Sequence, residues 1–133
     1  MANGSLIHGE HAIVLSFRIT APDEKLDDVL RSLQSLVGPA SAEAACLVSE
    51  VFQEVDNPNA ISFVQAWTKR RELQRHVSSR QYRQLLSVLD YSTTMPDIRL
   101  DEVTAIGTGI GVLAAMTSDE EQIDLKKVQG GLK

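Results

Sequence analysis

Residues 56–82 read DNPNAISFVQAWTKRRELQRHVSSRQY, and they hold a turn, an extended segment and two helical stretches in immediate succession. Asp56, Asn57, Pro58 and Asn59 all favour a turn: Asn and Asp side chains bond back to their own backbone, and the proline ring presets φ. Ile61, Phe63, Gln65 and Trp67 then fall on one face of a strand, because side chains alternate along extended backbone. Before the turn, Cys46 to Val55 is rich in Val and Phe and predicts another strand. So short a connection makes the two an antiparallel hairpin. After Trp67 the period changes. Thr68 to Val77 reads as a short polar helix. Ser79 to Leu89 reads as a second one, with Tyr82, Leu85, Leu86 and Leu89 as its apolar stripe.

Working outward, Ile13, Leu15, Phe17 and Ile19 alternate with Val14, Ser16, Arg18 and Thr20 and predict a first strand with one apolar and one mixed face. Asp23 is placed to cap a helix whose stripe is Leu26, Val29, Leu30, Leu33, Leu36 and Val37, and Gly38-Pro39 is expected to end it. Ile98 to Ile106 predicts a fourth strand. The order strand, helix, strand, strand, helices, strand is the split βαβ arrangement of an α+β, ferredoxin-like fold with a four-stranded antiparallel sheet. Helices on one side leave the other sheet face bare. A bare apolar face calls for a partner, and a two-fold homodimer is its simplest form.

Composition narrows the function classes. The chain has 133 residues, enough for one domain with its own core, with 43% hydrophobic and 23% charged residues. Thirteen basic against eighteen acidic residues give a net charge of −5, which argues against a nucleic-acid binder. One cysteine, Cys46, excludes an intrachain disulfide and an all-cysteine zinc site. No uninterrupted apolar run is long enough to span a membrane, and Met1 to Glu10 lacks the pattern of a signal peptide, so a cytoplasmic location is expected. His8 and His11 have no neighbouring ligand cluster, so no metal site is expected.

The run 56–82 resembles the central run of the antibiotic biosynthesis monooxygenase superfamily. There an Asp/Asn-Pro turn precedes a strand ending in Trp, followed by a short helix with an apolar residue and then His, and by a second helix opening on Ser and an aromatic. The matching positions are Pro58, Phe63, Trp67, Leu73, His76, Ser79 and Tyr82. Ala45-Cys46-Leu47 stands where these proteins often have Gly-Cys. The resemblance spans Ala12 to Thr104. It implies a dimeric α/β barrel paired through the sheet faces, with a pocket between sheet and helices. It also implies a cofactor-independent monooxygenase of the quinol type, acting on a small aromatic substrate with no cofactor and no metal. Two departures stand out: Gln65 occupies a position where relatives often carry Glu, and the chain continues past Thr104. Haem-degrading relatives place a histidine in the second helix, and this chain has none there.

On that reading His76 is the catalytic candidate, moving a proton or donating a hydrogen bond near neutral pH. Trp67 and Tyr82 are aromatic walls with polar tips, Phe63 completes the substrate-binding set, and Arg18 is placed to hold an enolate or carboxylate. Four of these have a structural alternative: Trp67 and Tyr82 as core, His76 as a helix-junction histidine, Arg18 paired with Glu50 or Glu54. A non-catalytic dimeric binding or regulatory module of the same fold is the second functional reading. The expected organisation is a flexible arm at 1–10, the domain at 11–106, and an extension at 107–133 with a short helix capped by Ser118 and Glu121. Gly107, Gly109 and Gly111 lack the spacing of a dinucleotide loop and read as a flexible connection.

Overall fold

The computed structural model describes residues 10–105 and 109–117. Its strands are β1 (His11–Thr20), β2 (Cys46–Gln53), β3 (Ala60–Trp67) and β4 (Asp97–Thr104), and its helices α1 (Leu26–Ser41), α2 (Arg70–Val77) and α3 (Arg80–Val88). They form one antiparallel sheet in the order β2-β3-β1-β4, the ferredoxin-like α+β arrangement. β3 is central: Ile13 pairs with Trp67, Leu15 with Gln65, Phe17 with Phe63 and Ile19 with Ile61. On its other side Ser49 pairs with Gln65 and Val51 with Phe63, with an irregularity between Cys46 and Val48.

The period-two pattern decides which face is buried. Phe17, Ile19, Ile61 and Phe63 pack under Val29, Leu33 and Leu36 of α1 and Tyr82, Leu85 and Val88 of α3. Phe17 and Phe63 stack with ring centroids 5.2 Å apart. A second cluster joins Ile13, Ala40, Cys46, Trp67 and Leu73 at the other end of the sheet. Each fully buried large apolar side chain stabilises the fold by about 1.5–3 kcal/mol, so these two clusters supply the core. The opposite sheet face carries Ser16, Arg18, Ser62, Val64 and the half-exposed Phe52. None of α1, α2 and α3 covers it.

Local expectations are corrected at both ends of α1. Asp23 does not cap α1: a 3₁₀ turn over Asp23–Lys25 precedes the helix, and Asp23 instead accepts a 2.8 Å bond from the Asn59 side chain. Asn59 also donates to the Ala21 carbonyl, which pins the β2–β3 turn against the end of β1. Nor does Gly38-Pro39 end α1. The helix continues through both to Ser41. Proline removes only its own N–H bond and its φ is helical, while the extra turn buries Ala40 in the second cluster. At α3 the expected helix is present, with Ser79 as its N-cap accepting from the Tyr82 backbone N–H at 3.1 Å, but its buried stripe is Tyr82, Leu85 and Val88, and Leu86 is exposed.

The chain divides into two compact units, the first over His11–Val103 and the second containing Glu10 and the residues from Thr104 onward. Within the second unit the Ala105 N–H donates to the Glu10 carbonyl at 2.9 Å. Residues 109–117 are helical, which corrects the reading of Gly109 and Gly111 as a loose connection. The expected arm at 1–9, Gly107, and the Ser118–Glu121 cap lie outside the described residues.

Candidate functional site

The inner face of β3 ends in two residues that differ from the apolar core below them. Gln65 and Trp67 are both almost completely buried. Gln65 donates through Nε2 to Ser49 Oγ at 3.2 Å, and Ser49 is itself buried on β2. Its Oε1 has no hydrogen-bond partner among the described residues. The same is true of Trp67 Nε1, His76 Nε2 and Tyr82 Oη, all buried. A buried polar atom left without a partner costs about 1–3 kcal/mol, so these four require an explanation.

α2 brings His76 to Trp67. The helix starts right after β3, and its last turn returns over the end of that strand, so the two rings lie 4.3 Å apart at an interplanar angle of 40°. Burial pushes the His76 imidazole below its ordinary value. Glu43 and Glu72 act upward and Arg75 downward, but they do not overcome burial. Arg75 holds both carboxylates in ion pairs, at 3.1 Å to Glu43 and 2.6 Å to Glu72, which blunts their pull on the histidine. The imidazole is therefore neutral at pH 7 and its buried Nε2 is free to accept or donate a proton. Tyr82 is pushed well up by burial and stays a phenol, a donor rather than an anion.

A cavity of about 260 Å³ opens between the sheet and α2. Ile13 and Leu15 of β1, Leu73 and Val77 of α2 and Leu100 of β4 make it apolar, and Arg70 and Gln74 complete the lining. Its β1 residues are the register partners of Trp67 and Gln65, so the strand that floors the cavity lies directly beside the unpartnered polar atoms. None of Trp67, His76, Tyr82 or Phe63 is itself on the lining. Phe63 sits in the first apolar cluster, and Tyr82 packs there too. Arg18 is on the opposite sheet face, ion-paired with Glu54, and is not brought together with the others. Burial pushes the Cys46 thiol up, so it is no reactive thiolate.

The cavity lining was missed in the sequence. A signal existed: Arg70, Leu73, Gln74 and Val77 stand at spacings of three, four and seven, one face of a helix. Among the described residues no group of His, Cys, Asp or Glu could hold a metal ion, and no helix is long and apolar enough to cross a membrane.

The profile of the antibiotic biosynthesis monooxygenase family matches residues 12–87, more than half of the chain. The chain belongs to that family. Among solved structures, this family member resembles PA3566 from Pseudomonas aeruginosa, with 21% identity and a TM-score of 0.60 over 75% of this chain and 99% of that one. A conserved protein from Methanosarcina mazei Go1 matches at 21% identity and TM-score 0.60, covering 68% and 90%. A crystal structure described as an antibiotic biosynthesis monooxygenase matches at 19% identity and TM-score 0.61, covering 70% and 99%. At these identities the likeness establishes the shared fold. No curated protein matches the chain.

Proposed function

We propose that this family member is a cofactor-independent monooxygenase, acting on a small aromatic or quinol-like substrate in the cavity between the sheet and α2. The observation that carries the reading is the set of buried polar atoms without a partner among the described residues, Gln65 Oε1, Trp67 Nε1, His76 Nε2 and Tyr82 Oη; Gln65 and Trp67 are the register partners of the cavity-lining Leu15 and Ile13. Structural roles alone leave all four uncompensated, whereas a substrate oxygen or a reaction intermediate would give them partners.

The chemistry fits residues rather than a prosthetic group. A phenol loses its proton to the neutral His76 imidazole, and the electron-rich phenolate reacts with dioxygen. One oxygen atom enters the ring to give the quinone and the other leaves as water, so the substrate supplies all the electrons. The Trp67 and Tyr82 donors hold developing negative charge on oxygen, and the apolar lining of Leu15, Leu73 and Val77 backs the ring. His76 is the catalytic residue in this account.

The active form is a homodimer paired through the sheet face opposite α1, α2 and α3, and the protein works in the cytoplasm. Half-exposed Phe52 on that face supports the pairing, as does Val103, 43% exposed on the edge strand β4 and opposite in parity to the cavity-lining Leu100. The domain boundary near residue 106 separates this unit from its extension. Arg18, on the paired face, belongs to the interface or to a substrate reaching it.

The test is oxygen uptake by purified, metal-free protein with a panel of quinols and hydroxylated aromatics. His76→Ala should lower turnover by about 10²–10⁴-fold, the range for a lost acid–base residue. Undiminished turnover of every accepted substrate would remove His76 from the mechanism. A second reading, a dimeric binding or regulatory module, is favoured by one observation: Arg70 is the only ionisable group on the cavity lining. It predicts ligand binding without oxygen uptake.

A further inference from the structure

We infer that the cavity selects a small apolar ligand bearing an anionic group, such as an aromatic carboxylate, and that Arg70 is the residue that recognises it. The inference rests on the proposed function only in taking this cavity as the ligand site.

The lining divides into two parts. Ile13, Leu15, Leu73, Val77 and Leu100 contribute only hydrocarbon, while Arg70 and Gln74, both exposed, supply its polar groups. Unlike Arg18, Arg31, Arg75 and Arg99, Arg70 makes no ion pair among the described residues. No acidic side chain lines the cavity. An arginine left unpaired beside an apolar hollow is a fork of N–H donors waiting for a planar anion, the geometry that carboxylates satisfy two bonds at a time. Gln74, one turn further along α2, offers an amide that can donate to the same group or to a neighbouring hydroxyl.

The charge pattern extends beyond the one residue. Residues 69–83 hold six of the thirteen basic side chains and one of the eighteen acidic ones, although the chain as a whole is acidic. The single acid, Glu72, is taken by Arg75. The helical stretch beside the cavity is therefore a local positive region on a negative protein, and such a field concentrates anions at the opening. Lys69, Arg70 and Arg71 also stand at the start of α2, where the helix dipole disfavours cations; Lys69 and Arg71 act on the Glu72 carboxylate, and Arg70 is not among the charges that do so. An anion at the opening relieves that repulsion.

The test compares 1-hydroxy-2-naphthoate with 1-naphthol, which differ only in the carboxylate, by isothermal titration calorimetry on the full chain without oxygen. The wild type should bind the carboxylate about tenfold tighter. Arg70→Gln should bring the carboxylate down to the naphthol affinity and leave naphthol unchanged. Arg71→Gln, a neighbouring cation off the lining, should keep most of the preference. Gln74→Glu, an independent change at the same opening, should weaken the carboxylate alone. Equal affinities in the wild type, a preference that survives Arg70→Gln, an equal loss in Arg71→Gln, or binding of neither compound would overturn the inference. Binding is read without turnover, so an absence of oxygenase activity leaves this result standing. Conversely, oxidation of naphthol with no carboxylate preference would spare the oxygenase and remove Arg70.

Discussion

The His76 ring lies 4.3 Å from the Trp67 ring, tilted by 40°, and both carry a buried nitrogen with no protein partner. Here a titratable side chain meets an aromatic surface at the end of β3, whose neighbouring residue Ile13 lines the apolar cavity. Trp67 is also the only tryptophan in the chain, so the contact can be read without ambiguity.

An imidazolium quenches a neighbouring indole more strongly than a neutral imidazole does. Trp67 fluorescence should therefore fall as His76 takes up its proton, with a midpoint below the ordinary value of 6.5 because burial depresses it. His76→Gln should abolish the transition. A midpoint at or above 6.5 would mean that the carboxylates of Glu43 and Glu72, not burial, control this histidine.

The same depression has a sign in stability. In the unfolded chain the histidine titrates near its ordinary value; in the folded protein it holds its proton only at lower pH. Between those two points the unfolded state binds more protons, so stability is complete above about pH 6.5 and is lost as the pH falls through that window. Urea midpoints measured from pH 7.5 to pH 5 should decline in the wild type and decline less in His76→Gln. Glu54 and Glu72, held low by Arg18 and Arg75, lose their contribution only at more acidic pH, so the two regimes separate.

Much of this was legible in the sequence because two periodicities do not overlap. Ile13 to Ile19 and Ile61 to Trp67 alternate, Leu26 to Val37 recur at three and four, and burial chose the faces those patterns named, whereas in α3 the core takes Tyr82, Leu85 and Val88 and leaves Leu86 exposed. Pro39 misled because a local helix-breaking rule competes with a tertiary gain, the burial of Ala40, that no local pattern records. The cavity was illegible for a different reason. Its walls come from β1, α2 and β4, which are far apart in sequence, and its one charge stands among six basic residues that look alike on paper.

Core packing gives a magnitude. Phe63 is fully buried and stacked on Phe17. Phe63→Ala should cost about 3–5 kcal/mol in denaturant unfolding. Arg18→Ala, which breaks an exposed ion pair on the other face, should cost no more than about 1 kcal/mol. A loss at Arg18 comparable to that at Phe63 would show that its face is buried in the assembled protein.

The sheet face opposite α1, α2 and α3 makes a prediction about assembly. Phe52→Asp places a charge on the sheet face proposed to pair, and it should shift the mass measured by light scattering from dimer towards monomer. A monomeric wild type, or a variant dimer of unchanged stability, would contradict pairing through that face.

Val77 lines the cavity from α2. Val77→Phe should fill the opening, at a stability cost of no more than about 1–3 kcal/mol, and block ligand binding and turnover together. Full activity with the cavity filled would move the reaction elsewhere.

The central claim is that this family member inserts oxygen without a cofactor. It is tested most directly by oxygen consumption with chelator-treated, flavin-free protein and a quinol panel, measuring the dioxygen used per quinone formed. The account predicts one dioxygen per quinone, no accumulating peroxide, and loss of the enzyme-dependent rate in His76→Ala. Consumption no faster than without protein for every quinol that binds the cavity would contradict it.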